Sequence, residues 1–109
     1  MEYLLIETRS AWEGGDVHGF LELAVELARQ GNRVDLFLLQ NGVLLARKGA
    51  DARMGDLAHA ADVSLWADAF SLEQRSVSAP ALHEAVRVGG MADLIRMLAR
   101  PGCKPIWHS

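Results

Sequence analysis

The chain has 109 residues, 50% of them hydrophobic, and a net charge of −3 with its Lys and Arg dispersed. That length suits one domain, read as residues 1–109, and the charge balance offers no footprint for nucleic acid or an anionic membrane. The single cysteine, Cys103, excludes an intramolecular disulfide and a multi-thiolate metal site, and no apolar run is long enough to span a bilayer. The chain opens on Met1-Glu2-Tyr3 without a basic leader, so the expected setting is reduced and cytoplasmic.

Tyr3 to Thr8 reads as a short apolar strand, followed by the polar turn 9–15. Val17, Phe20, Leu21, Ala24, Leu27 and Ala28 recur at helical spacing, with Asp16 as N-cap and Gly31-Asn32 as the stop. Arg33 to Leu39 is a second strand, apolar nearly throughout, as a parallel strand covered on both faces must be. Gln40-Asn41-Gly42 is a turn, Val43 to Arg47 a short helix, and Gly55 to Ala61 a further helical piece. Val63 to Ala67 is the third strand, Ser71 to Arg75 is helical, and Ala79-Pro80-Ala81 makes a short turn or helix. Val86 to Val88 is a fourth strand ended by Gly89-Gly90. Met91, Leu94, Ile95 and Leu98 supply the stripe of the last helix, and Lys104 to His108 is the fifth strand.

Strands alternating with helices predict an α/β fold: a single domain with a mostly parallel sheet of about five strands and helices on both faces. In such sheets the functional crevice lies at the carboxyl ends of the strands. Here those ends are 9–15, 40–43, 68–71 and 89–90.

Gly14-Gly15-Asp16-Val17-His18-Gly19 follows a strand and opens a helix, a context suited to anions. It is neither G-x-G-x-x-G nor a phosphate loop, and Asp16 places negative charge where a phosphate would sit, so a capped turn is the better reading. The histidines His18, His59, His83 and His108 have no metal-ligand spacing, and no metal or other cofactor is expected. His18, at a helix start, is the one kept as a binding candidate. Asp68 lies just past an apolar strand, with Arg75 close enough along the chain to neutralise it. It is either a general base or the cap of the following helix, and the cap is favoured. Cys103, beside Lys104, is either a persulfide carrier on a loop or an incidental small residue. Trp12, in a loop, and Trp66, in a strand, are candidate binding or interface aromatics.

The stretch Leu65-Trp66-Ala67-Asp68-Ala69-Phe70-Ser71-Leu72-Glu73-Gln74-Arg75-Ser76-Val77 resembles the segment bearing the sulfur-carrying cysteine in the DsrE/DsrF/DsrH (TusD/TusC/TusB) sulfur-relay superfamily. Asp35 to Val43, with its Gln-Asn-Gly-Val turn, is similar to the family's second strand and turn, most of all in the DsrH/TusB branch. The ending Pro105-Ile106-Trp107 is similar to the closing strand of TusB-like chains. The resemblance runs over nearly the whole chain and implies a DsrE-like domain. It also implies assembly as a homo-trimer or hexamer, or as a hetero-oligomer with cysteine-bearing DsrE-like paralogues, in tRNA thiolation or sulfur oxidation. Two departures stand out: Asp68 where a carrier has Cys, and Ser76 where Gly is common. The chain is therefore expected to be a non-catalytic subunit of such a relay, with Asn41, Gly42, Asp68 and Arg75 around the crevice. The alternatives are a carrier using a Cys103 persulfide, or a stand-alone homo-oligomer binding a small ligand beside Asp68. No membrane and no direct nucleic-acid partner are expected.

Overall fold

A computed structural model describes residues 1–108. Strands β1 (Glu2–Glu7), β2 (Arg33–Leu38), β3 (Val63–Asp68), β4 (Val86–Gly89) and β5 (Cys103–His108) form one sheet in the order β4-β3-β2-β1-β5. All neighbouring pairs are parallel. The fold class is the expected one, an α/β domain with a five-stranded parallel sheet and helices on both faces.

The two faces are covered unequally. Helices α1 (Val17–Arg29), α2 (Ala52–Ala58) and α3 (Ala69–Gln74) share one face with a 3-10 segment, Gln40–Ala46. Their buried residues meet Leu5, Val34, Leu36, Leu38, Leu65 and Ala67 from the strands. On the other face α4 (Met91–Leu98) stands alone, crossing from edge β4 to edge β5. It sets Leu94 and Met97 against Leu4, Ile6, Phe37 and Leu39. Alternate strand residues thus feed two cores, which is why the central strands are apolar at nearly every position. Asp35 is the buried exception on the α4 side, and the Arg100 guanidinium, just beyond α4, bonds its carboxylate.

Four expectations move. The segment read as a helix from Val43 is a 3-10 turn that begins at Gln40. Gly42 permits this, because its backbone packs against the Glu7 carbonyl where no Cβ fits. The helical piece expected at 55–61 is α2, three residues earlier, because Asp51 caps it by accepting from the Arg53 amide. Gly89 belongs to β4 rather than ending it: the Trp66 ring lies 2.8 Å from where its Cβ would stand. In α4 only Leu94 of the expected stripe is buried. Met91, Ile95 and Leu98 are 52%, 59% and 38% exposed, and Met97 turns inward instead.

Ser76, one of the two departures noted above, has a left-handed φ of 54° just past α3. That is the helix-ending conformation in which glycine is strain-free.

Candidate functional site

Four of the buried polar residues gather where the strands end: Glu7, Ser10, Asp68 and Ser71. Asp68 is the last residue of β3 and the N-cap of α3. Its Oδ2 accepts the Ser71 amide at 2.9 Å and the Ser71 hydroxyl at 2.7 Å. The Ser71 hydroxyl oxygen in turn accepts the Gln40 amide at 2.9 Å. This chain of bonds ties the end of β3 to the 3-10 turn and holds Gln40 at its left-handed φ of 52°. An Asp 4% exposed and engaged in this way is a structural acceptor.

Arg75 does not neutralise Asp68. Its Nε donates to Asn41 Oδ1 at 2.7 Å and a terminal nitrogen donates to the Ser71 carbonyl at 3.2 Å. Glu13 lies near Asn41, and its Oε1 accepts the Ser10 amide at 2.9 Å. The Ser10 backbone bond, then the Asn41 and Ser10 side chains and the Arg9 charge, hold the Glu13 carboxyl below its ordinary range. Asn41, Arg75, Ser71 and Asp68 therefore form one bonded network at the crevice rim, with the Ser10–Glu13 pair beside it. Its polar groups are spent on one another and leave no nucleophile among them.

The other candidates lie apart from this network. Gly42 is there for close backbone approach, as described. Trp12, 87% exposed, stands at the mouth of a cavity of 190 Å³ that Leu45, Arg47 and Ala50 also line. Trp66 is a sheet-face residue, not a crevice residue: its ring stacks on Phe37 at 6.3 Å and the Arg87 guanidinium lies over it. Its buried indole N–H has no hydrogen-bond partner among the described residues. His18 bridges α1 to the cap of α2, with Nδ1 2.9 Å from an Asp51 carboxylate oxygen. Cys103 opens β5 rather than preceding it, in register with Glu2, at the opposite end of the sheet from Asp68. It is half-buried in the α4 layer. The Lys104 ammonium lies over the Tyr3 ring, on the neighbouring strand.

One pair escaped the sequence reading. Glu7, wholly buried at the end of β1, faces His108 at the end of β5, with Nδ1 2.7 and 2.9 Å from its two carboxylate oxygens. The sequence signal is a carboxylate closing the otherwise apolar run Leu4-Leu5-Ile6. The partner, about a hundred residues away, comes only from the β1–β5 pairing. Among the described residues no group of three or more His, Cys, Asp or Glu is placed to hold a metal ion. No helix among them is long and apolar enough to cross a membrane.

No family model matches the chain, and no curated protein matches it. Solved structures do. The ychN protein from E. coli superposes with a TM-score of 0.80 at 18% identity, over 97% of this chain and all of that one. Protein MTH1491 from Methanobacterium thermoautotrophicum, described as of unknown function, superposes with a TM-score of 0.73 at 16% identity, over 99% of this chain and all of that one. At these identities the likeness establishes the fold. The chain is thus similar to both proteins in its whole five-stranded parallel architecture, the DsrE-like fold its sequence resembles.

Proposed function

We propose that this chain is a non-catalytic subunit of a DsrE-family sulfur-transfer assembly, fitted against cysteine-bearing paralogues. The observation that carries the reading is Asp68. By the resemblance it stands where a carrier has its cysteine, and both of its short contacts serve to cap α3. A thiol there would carry sulfur; a buried capping carboxylate cannot. The chain's own thiol, Cys103, is at the far end of the sheet and half-buried, which disfavours the carrier alternative. The outward residues Met91, Ile95 and Leu98 of α4 give such an assembly apolar surface to bury.

The test is native mass spectrometry of the chain alone, with co-expressed paralogues, and after treatment with a persulfide donor. The expected result is a defined oligomer containing the paralogues, with sulfur mass gained on them and none on this chain. A gain of one sulfur on this chain that disappears in Cys103→Ser would instead make it a carrier.

A further inference from the structure

The loops that follow β1 and β2 enclose a cavity of 190 Å³ whose lining includes Ser10, Trp12, Leu45, Arg47 and Ala50. That lining carries one charge, the Arg47 guanidinium, and no acid. A second hollow of 340 Å³ adjoins it across Arg47, Gly49 and Ala50, and adds Lys48 but again no acid. Three cavities elsewhere on the surface each include a carboxylate: Asp56, Glu84 or Glu73. In a chain of net charge −3 the Arg47 cavity is a local reversal of sign. The charge is also unpaired. Arg29, Arg33, Arg53, Arg96 and Arg100 each lie within ion-pair distance of an acid. Among the described residues Arg47 and Lys48 have no such partner.

The guanidinium is pre-oriented. Two bonds to the 81–83 stretch anchor the backbone beneath it: the Lys48 amide donates to the Ala81 carbonyl at 2.9 Å, and the His83 amide to the Ala46 carbonyl at 2.8 Å. Arg47 Nε donates to the Leu44 carbonyl at 3.0 Å, which fixes one edge of the fork. Among the described residues neither terminal nitrogen has a partner, so the end of the fork is free to meet two oxygens of one carboxylate. At the mouth stands Trp12, 87% exposed. A large apolar ring left in water is unfavourable, and a flat partner stacked on it removes that cost.

We propose that this cavity binds a small aromatic monocarboxylate. The carboxylate meets the terminal nitrogens of Arg47, and the ring lies between the Trp12 indole and the apolar wall of Leu44 and Leu45. One guanidinium without a counter-ion matches one negative charge. A neutral ligand would leave the cation unpaired, and a saturated acid would forgo the stacking. The volume limits the ligand to a single ring, since sites for drug-sized molecules measure about 300–1,000 Å³. No His, Cys, Asp or Glu lines the cavity, and the Ser10 hydroxyl oxygen accepts the Trp12 amide at 3.4 Å. The site therefore holds its ligand and does not transform it. This inference goes beyond the subunit reading and needs no part of it.

The test uses the full ¹⁵N-labelled chain and follows its indole N–H signals by NMR during titration with benzoate. The controls are benzamide, which keeps the ring and loses the charge, and cyclohexanecarboxylate, which keeps the charge and loses the flat ring. The expected result is a saturable shift at Trp12, with Trp66 and Trp107 unmoved. Both controls bind at least about fivefold more weakly than benzoate. In the variants, affinity is read by saturation transfer to the ligand. Arg47→Gln lowers benzoate affinity about tenfold and erases its advantage over benzamide. Trp12→Leu, which also assigns the indole signal, erases the advantage over cyclohexanecarboxylate. The proposal is overturned if benzoate gives no saturable shift, if either control binds equally, or if Trp66 or Trp107 responds instead. It is overturned as well if inorganic phosphate moves Trp12 as benzoate does. A Trp12 signal that changes with protein concentration and ignores benzoate would also overturn it, by making the indole a contact between chains. The comparison of ligands on the wild-type chain stands even if a variant does not fold. The experiment involves no paralogue and no sulfur donor, so its outcome is independent of the assembly test.

Discussion

Asp68 illustrates how much of a residue's role its immediate neighbours dictate. A polar acceptor at the end of an apolar strand, before Ser71-Leu72-Glu73, is a cap by local chemistry, and the structure places it as one. Asp68→Ala removes the acceptor of the Ser71 amide and hydroxyl and loosens the hold on Gln40. It should lower stability by about 1–3 kcal/mol and so lower the urea midpoint, with Asp68→Asn losing less. An unchanged midpoint would contradict the capping role. Glu13 gives the pH counterpart. Its folded carboxyl titrates below the unfolded value of 4.5, chiefly because of the Ser10 backbone bond. Its contribution is therefore fully present above that value and is lost as the pH falls through the lower, folded one. Glu13→Gln should flatten the acid limb of the Tm-versus-pH curve and leave the neutral region alone. Arg75, by contrast, could not be read locally. Its partner Asn41 lies 34 residues away, and only the juxtaposition of the β2 and β3 ends brings them together.

Helix α4 shows where periodicity stops being informative. Met91, Leu94, Ile95 and Leu98 form a correct amphipathic stripe, yet the helix turns Leu94 and Met97 to the sheet. Spacing establishes that a helix has an apolar face. It does not say which side of a broad face a single crossing helix will bury. The consequence is measurable. Leu94, 2% exposed, should cost about 2–4 kcal/mol when cut to Ala. Ile95, 59% exposed, should change the stability of the isolated subunit by less than about 0.5 kcal/mol. Comparable losses at the two positions in thermal unfolding would mean that α4 is oriented otherwise. The 3-10 turn was missed for a related reason. Its start depends on Gly42 nestling against the Glu7 carbonyl, a contact between segments far apart in sequence.

Across the whole molecule the unequal cover of the sheet matters most. One face carries three helices and a 3-10 segment; the other carries α4 alone, with Trp66 only half-covered beside it. If this face meets partner subunits, Ile95→Asp should leave the fold intact by circular dichroism while shifting the assembled species to smaller mass in sedimentation. Unaltered assembly would move the interface elsewhere. The sequence by itself determined the alternation of strands and helices, the parallel sheet, the burial of the central strands and the capping roles of Asp16 and Asp68. These follow from periodicity, turn chemistry and nearest-neighbour hydrogen bonds, all of which act over a few residues. Only the tertiary structure decided the strand order, the outward turn of α4, the Asn41–Arg75 link, the separation of Cys103 from the Asp68 rim, and the meeting of Glu7 with His108. Each depends on which strand ends lie side by side, and that is fixed by the packing of both cores at once rather than by any local stretch of chain.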